Sequence, residues 1–115
     1  MKQWLSILLF LYGGQLLAGH IRVGKTHQYH NITNAMAAAK PGDTVIVEPG
    51  NYYEKNLVIR KPIVLTGLDH PVLDGEGKYE IISIKSDNVT INGFRLQHTG
   101  ISSLEDYAAI KIYNG

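Results

Sequence analysis

The sequence predicts an all-β protein, a right-handed parallel β-helix with coils of about 26 residues and a short N-terminal capping helix. Residues 63–68 align with residues 89–94, and residues 82–84 align with residues 110–112. The aligned segments carry apolar residues at the same places, at offsets of 26 and 28 positions. Periods of roughly 20 to 50 residues are typical of repeat proteins, because each unit buries its apolar face only against its neighbours. Right-handedness is the usual hand of a parallel crossover.

The first 19 residues have the features of an export signal. Lys2 supplies a positive charge, residues 4–12 form a compact apolar run, and the small residues Ala18 and Gly19 suit cleavage after either one. The run is too short to span a membrane. We therefore expect residues 1–19 to be removed and the mature protein to be soluble in the periplasm. The alternative is a buried N-terminal strand or helix.

Residues 20–115 are then expected to form one domain, since a chain of 115 residues is too short for two. The sequence stops soon after the segment 110–112, when only two to three coils have been built. An open end of a β-helix exposes apolar residues and unpaired strand edges. We expect the chain to hold the N-terminal cap and first coils of a longer, truncated β-helix.

Residues 31–40 are predicted to form the helix that covers the first coil. Asn31 or Thr33 is a suitable N-cap, and Pro41-Gly42 ends the segment. The apolar residues of one helical face are Ile32, Ala35, Met36 and Ala39. An amphipathic helix in this place would shield the open end of the solenoid from aggregation through its strand edges.

Strands are predicted where apolar residues alternate with other residues. One residue separates Ile63 from Leu65 and Val89 from Ile91, which is the period of a half-buried strand. Leu65 and Ile91 are expected to point inwards and to stack. We assign three strands to one coil and three to the next: residues 44–48, 57–59 and 63–66, then residues 72–73, 81–84 and 89–92. A small β-sandwich, which also has short strands at regular spacing, is the alternative.

Glycines mark the predicted corners between strands. Gly67 and Gly93 follow equivalent strands, and each precedes a large apolar residue, Leu68 or Phe94. We expect a positive φ at both glycines, because glycine adopts it without steric cost. Pro49-Gly50 is predicted to form a further corner.

Composition restricts the possible functions. The chain has 11 Lys and Arg against 10 Asp and Glu, a net charge of +1. Because these charges form no basic run, nothing indicates binding to nucleic acid or to an anionic membrane surface. The chain has no cysteine, so a disulfide framework and thiolate metal sites are excluded.

Two parts of the sequence resemble known β-helix proteins. Residues 42–54 are similar to the opening coil of pectin-lyase-like proteins. A longer part is similar in order and spacing to the NosD family. Its segments are residues 73–77, 81–84, 88–94 and 99–110. The resemblance runs from about Ile21 to Gly115, but it departs from the family pattern at Thr99-Gly100, where Ser-Gly is usual, and the later coils of the family are missing.

NosD proteins are periplasmic β-helix proteins that assist maturation of the copper centre of nitrous oxide reductase alongside an ABC transporter. The resemblance implies the same non-enzymatic role here, with the maturation proteins and the transporter as partners and copper as a possible ligand. It implies no nucleic-acid partner and no membrane span once the signal is cleaved.

The candidate metal ligands are histidines. Copper sites in exported proteins use His, Met and Cys, and the weak candidates here are His20, His27 and His30. A cut after Gly19 would make His20 the N-terminal residue, and its amine and imidazole would together chelate Cu(II). His27 and His30 are three positions apart, a spacing that would put both on one side of the chain. Either one is a candidate for the second histidine that completes the site. The alternative is that they are solvated surface residues, since two ligands without a third seldom make a site.

Fold analogy alone favours a second function, that of a carbohydrate-active β-helix such as a polysaccharide lyase, hydrolase or epimerase. Its chemistry needs paired carboxylates at a fixed separation or a base beside a bound cation. The nearest approach to an acidic cluster consists of Asp69, Asp74, Glu76 and Glu80. These residues lie in corner segments, where polar side chains are usually solvated, so we assign no catalytic residue.

Two residue pairs give less specific indications of a functional site. His70 and His98 are 28 positions apart, about one coil, and they either stack on one face or are unrelated surface residues. Glu105 and Asp106 lie in an insertion between coils, where a surface loop or a partner contact is favoured over a metal site.

Overall fold

The structure, a computed structural model, describes residues 18–100 and 109–113. It is a parallel β-solenoid with about 24 residues per turn and one short helix near the N-terminus. The fold class predicted from the sequence is therefore confirmed. Most of the predicted signal and the pair Glu105-Asp106 lie outside the described residues, so both remain predictions.

The described residues contain ten strands in three parallel sheets. The strands are β1 (His20–Val23), β2 (Thr44–Val47), β3 (Asn51–Tyr52), β4 (Leu57–Ile59), β5 (Val64–Gly67), β6 (Val72–Asp74), β7 (Ile82–Ile84), β8 (Thr90–Asn92), β9 (Arg95–Gln97) and β10 (Ile110–Ile112). Sheet A has the order β1-β2-β5-β8, sheet B the order β3-β6-β9, and sheet C the order β4-β7-β10. Each complete coil therefore contributes one strand to each sheet.

The strand register confirms both sequence alignments and corrects the grouping of strands. Val64 pairs with Thr90, and Ile82 pairs with Ile110, as the offsets of 26 and 28 predicted. The prediction that the strands at residues 44–48 and 63–66 belong to one coil is wrong, because Thr44 pairs with Val64 in sheet A. These strands are equivalents in successive coils. Only 20 positions separate them, fewer than the period indicated by the later coils.

Three strands, β1, β3 and β9, are absent from the sequence prediction. They are only two to four residues long, so even the alternating residues of His20–Val23 do not distinguish them from other short segments. Within the described residues sheet A consequently contains four strands, and the solenoid has about four turns there, where two to three were predicted.

The core is a set of inward-facing columns. Val45 pairs with Leu65, and both are fully buried. Leu65 pairs in turn with Ile91, which is partly buried and packs against the core. Thr90, beside Ile91, is exposed. The predicted inward and outward alternation is therefore correct at these positions of sheet A, where neighbouring coils bury each other's apolar residues. In β10, Ile110 and Ile112 are exposed.

The helix α1 (Ile32–Ala38) packs on the first coil. Asn31 is the N-cap, and its side-chain oxygen accepts a hydrogen bond from the backbone N–H of Asn34 at 2.8 Å. The buried residues Ile32, Ala35 and Met36 join the core, and the helix contacts β1, β2 and β4. It ends before the predicted Lys40, because Ala39 already has extended backbone with ψ 148°.

Two charged side chains of the first coil hold the ends of α1. The Glu54 carboxylate accepts hydrogen bonds from the backbone N–H groups of Ile32 at 2.6 Å and Thr33 at 2.8 Å. The Lys61 ammonium donates to three carbonyl oxygens at the other end, those of Met36, Ala37 and Ala39, at 3.2, 3.1 and 2.6 Å. Both charges oppose the partial charges of the helix ends, and both satisfy backbone groups that a short helix leaves unpaired.

The glycine corners are explained by close packing as well as by φ. Gly93 has the expected positive φ of 83°. Gly67 does not, so that part of the prediction is wrong. A Cβ atom at Gly67 would lie 2.6 Å from the carbonyl oxygen of Gly93 and 2.6 Å from Cδ of Pro71. Gly67 is therefore required because the backbones of two stacked corners approach too closely for a side chain.

The core columns predict that alanine substitutions at inward and outward positions of sheet A differ in how much they lower the free energy of unfolding. Leu65→Ala should lower the free energy of unfolding by about 2 to 5 kcal/mol, since it leaves a cavity at a fully buried position. Thr90→Ala, at an exposed position, should change it by less than about 0.5 kcal/mol. Urea unfolding followed by circular dichroism measures both, and equal losses would contradict the register.

The contacts at the helix ends predict that Glu54→Ala destabilises the protein by about 1 to 2 kcal/mol, because it unpairs N–H groups at the start of α1. The exposed neighbour Lys55 provides the control, and Lys55→Ala should cost less than about 0.5 kcal/mol. Thermal unfolding of the two variants under identical conditions compares them. A Glu54→Ala protein as stable as the control would show that the carboxylate does not hold the helix.

Candidate functional site

The most organised group of polar side chains lies where β6 and β9 end in sheet B. Leu73 pairs with Leu96 on the inward side, and Asp74 pairs with Gln97 one position later. His98 directly follows β9, so the register places it next to Asp74. Asp74 is 7% exposed, which is unusual for an aspartate unless its carboxylate is bound by donors.

The Asp74 carboxylate accepts three hydrogen bonds. Its Oδ1 accepts from the backbone N–H of Glu76 at 2.7 Å, and its Oδ2 accepts from Nε2 of Gln97 at 3.2 Å. Oδ2 also lies 2.9 Å from Nδ1 of His98. The hydrogen bond from His98, followed by the one from Glu76, lowers the pKa of Asp74 below its ordinary value of 3.8.

These contacts determine the tautomer of the neutral His98 ring. An ionised carboxylate only accepts hydrogen bonds, so Nδ1 of His98 carries the proton that it donates to Asp74. In the neutral ring Nε2 then keeps its lone pair. The side chain is 64% exposed, which leaves Nε2 open to solvent. Such a nitrogen serves as a proton acceptor or as a metal ligand.

A shallow, open cavity of about 490 Å³ lies beside this pair, and both residues form part of its wall. Its wall includes Tyr53, whose side chain is 59% exposed, together with Asp74, Glu76, His98 and Thr99. The backbones of Glu76 and His98 have φ of 55° and 56°, in the left-handed region that is uncommon for residues other than glycine. The cavity therefore presents an aromatic ring beside an oriented imidazole and a carboxylate.

The predicted metal candidates lie elsewhere, near β1. His20 and His27 line a second cavity, of about 430 Å³, and His30 is not part of its wall. Nε2 of His27 lies 3.4 Å from the Glu48 carboxylate, which Arg22 also contacts at 3.1 Å. Across the part of the chain that the structure describes, no three His, Cys, Asp or Glu side chains form a group that would hold a metal ion.

The possible stack of His70 on His98 does not form. His70 precedes β6 and His98 follows β9, so they lie at opposite ends of paired strands. His70 instead lines a cavity with Phe94 and Arg95. Their spacing of 28 positions exceeds the sheet B offset of 23 positions between Val72 and Arg95, which explains the mismatch.

The four acids considered for catalysis do not converge. Asp74 and Glu76 share one cavity, as described above, whereas Asp69 lies in an exposed turn. Glu80 is 8% exposed and bonds to the hydroxyl groups of Ser83 and Tyr113, the latter at 3.0 Å. Glu80 therefore belongs to a hydrogen-bond network on the sheet C side of the solenoid.

The sequence prediction did not identify the Asp74–His98 contact. The signal for it was present, because 24 positions separate the two residues and the solenoid has about 24 residues per turn. That spacing carries little information until the offset of sheet B is known.

Comparison with known proteins gives limited information. One similar protein is the F-box protein SKIP5 of Arabidopsis thaliana, 53% identical over 38 residues. The match covers 32% of this chain and 14% of that protein. No protein-family profile and no solved structure matches the chain. The resemblance to the NosD family therefore remains a hypothesis.

Within residues 18–100 and 109–113, no helix combines the length and the apolar composition that crossing a membrane requires.

The hydrogen bonds to Asp74 predict how the free energy of unfolding depends on pH. Because the folded-state pKa of Asp74 lies below its unfolded value, its contribution to stability is present above about pH 4 and is lost as the pH falls through the lower, folded-state pKa. The free energy of unfolding of the wild type should therefore exceed that of Asp74→Asn above about pH 4, and this difference should shrink as the pH falls below about 4. Urea unfolding at several pH values between 2.5 and 7 measures this difference. A difference that stays constant over the range would contradict the assignment.

Proposed function

We propose that this protein is a periplasmic accessory protein that assists assembly of the copper centre of nitrous oxide reductase together with an ABC transporter. It is exported by the signal in residues 1–19, and it acts as a scaffold rather than as an enzyme. The observation that carries the proposal is the resemblance to the NosD family, which extends over several separate segments.

The positions of those segments in the fold support the proposal. They include β6, β7 and β8, so the resemblance spans one strand from each of the three sheets. Two of the resembling residues have specific structural roles: Asp74 holds the corner after β6, and Gly93 packs on the preceding coil. A resemblance that reproduces such positions in order is more specific than a single short motif.

The outer face of sheet A supports a scaffold role. Its outward positions form rows across neighbouring coils, such as Ile46, Thr66 and Asn92. Thr66 and Asn92 also join their side chains by a hydrogen bond. A continuous face of polar and branched side chains offers contact area for a protein partner, whereas a small substrate needs a concave site.

The proposal is tested in the bacterium that carries the gene. Deletion of the gene should leave nitrous oxide reductase polypeptide at its normal level but with deficient copper, measured as copper per purified reductase. Reintroduction of the full-length gene should restore the copper content of the reductase, and a version without residues 2–19 should not. A fully loaded reductase in the deletion strain would contradict the proposal.

One observation favours a second candidate, a carbohydrate-active protein. The exposed ring of Tyr53 lies in the same cavity as the oriented imidazole of His98, and Nε2 of that imidazole is free to accept a proton. His98→Asn removes this nitrogen, and Asn tolerates the positive φ at that position.

His70 supplies the matched control, because it is also exposed and has φ 55° but lies outside this cavity. If the purified protein cleaves or binds acidic polysaccharides and His98→Asn abolishes this while His70→Asn does not, the second candidate replaces the first. If wild type neither cleaves nor binds them, the second candidate is wrong.

A further inference from the structure

Gly19, which precedes β1, is bonded to the first coil at both its carbonyl oxygen and its nitrogen. The carbonyl oxygen accepts from the backbone N–H of Thr44 at 2.9 Å, and the nitrogen bonds to a carboxylate. Oδ1 of Asp43 accepts a hydrogen bond from the backbone nitrogen of Gly19 at 2.8 Å. Its other oxygen, Oδ2, accepts from the backbone N–H of Lys40 at 2.8 Å. Asp43 is 8% exposed, so this carboxylate is a largely buried anion held by two neutral amide donors.

A buried carboxylate is best satisfied by a positive charge. A hydrogen bond with one ionised partner is already stronger than a neutral one, and a positively charged donor adds a Coulombic attraction to the carboxylate. The backbone N–H groups of Lys40 and Gly19, in that order, already lower the pKa of Asp43, which is therefore ionised at neutral pH. The nitrogen of Gly19 would become an ammonium group if Gly19 were the first residue of the chain.

We propose that the signal is cleaved between Ala18 and Gly19 and that the new α-ammonium group of Gly19 pairs with Asp43. In this step water hydrolyses the peptide bond: the water oxygen becomes part of the Ala18 carboxylate, which leaves with the signal, and both water protons end on the Gly19 nitrogen as it becomes an ammonium group. The inference rests on the export that forms part of the proposed function, and it selects one of the two cleavage sites that the sequence allows.

The alternative cut, after Gly19, would remove the partner of Asp43. His20 would then be the first residue, and its ammonium group would start at the first position of β1, where His20 pairs with Thr44. The Asp43 oxygen that now bonds to Gly19 would lose that donor. An unpaired acceptor at a largely buried site costs free energy, so a cut after Ala18 gives the better-satisfied mature chain.

Cleavage after Ala18 also has a consequence for the proposed copper chelate at His20. That chelate needs the free amine of His20, and in a chain that begins at Gly19 this nitrogen is part of a peptide bond. The amine of Gly19 is instead engaged by Asp43. The mature chain should therefore lack the two-nitrogen chelate of an N-terminal histidine.

The first experiment is intact-mass and N-terminal peptide mass spectrometry of the full-length protein after export. The expected mature protein starts at Gly19. A mature protein that starts at His20, or at any other residue, overturns the inference without affecting the proposed role in copper-centre assembly. A protein that retains its signal contradicts the proposed export as well.

The second experiment measures whether the ammonium group pairs with Asp43. Three forms of the mature protein are compared by urea unfolding at pH 7: one starting at Gly19, one at His20, and one with Ala18 retained. The form that starts at Gly19 should have the largest folding equilibrium constant, on the order of tenfold above the form with Ala18.

Asp43→Asn in each form provides the control. It removes the negative charge but keeps an acceptor oxygen, so the forms that start at Gly19 and at Ala18 should become equal to within about twofold in their folding equilibrium constants. The form that starts at His20 should stay less stable, because it lacks the Gly19 carbonyl oxygen that accepts from the backbone N–H of Thr44 at 2.9 Å. Equal stability of the Gly19 and Ala18 forms with Asp43 present would overturn the pairing, as would an advantage of the Gly19 form over the Ala18 form that survives in Asp43→Asn.

Discussion

The parallel stacking of coils is the constraint on which the rest of the structure depends. A single coil is too thin to enclose its own apolar residues, so each inward side chain is buried by its equivalents in neighbouring coils. Leu65 is fully buried because Val45 and Ile91 lie in register on either side of it. The same stacking satisfies the backbone N–H and carbonyl groups along the sheets.

The corners and the candidate site follow from that stacking. Gly67 and Gly93 lie so close that a side chain at Gly67 would collide with the neighbouring corner. In sheet B the same stacking brings the end of β9 beside the end of β6, and this makes His98 a neighbour of Asp74. At the N-terminal end of the part that the structure describes, α1 packs on the core beside β1 and β2, with Glu54 and Lys61 bound to its two ends.

The sequence predicts the parts of the fold that depend on local pattern. A short apolar run locates the strand Leu57–Ile59 with its observed bounds, and alternation of apolar residues identifies Leu65 as an inward residue. It does not determine which strands belong to one coil, because offsets between equivalent strands range from 20 positions at Thr44 to 28 at Ile82. Pairing partners depend on corner lengths, which a short run of apolar residues does not encode.

The candidate site was harder to predict for the same reason. Asp74 is an ordinary corner residue until the register of sheet B is known, and only then does its distance from His98 acquire meaning. The interaction of Glu54 with the start of α1 likewise joins residues that are 21 and 22 positions apart, and no local pattern connects them.

Nuclear Overhauser contacts between backbone protons of neighbouring strands test the register most directly. The structure predicts contacts between the backbones of Val45 and Leu65 in sheet A and between those of Leu73 and Leu96 in sheet B. Observation of both would establish the coil assignment and the placement of Asp74 beside His98. Pairing of either strand with a different partner, or a register shifted by one or more residues, would contradict the account.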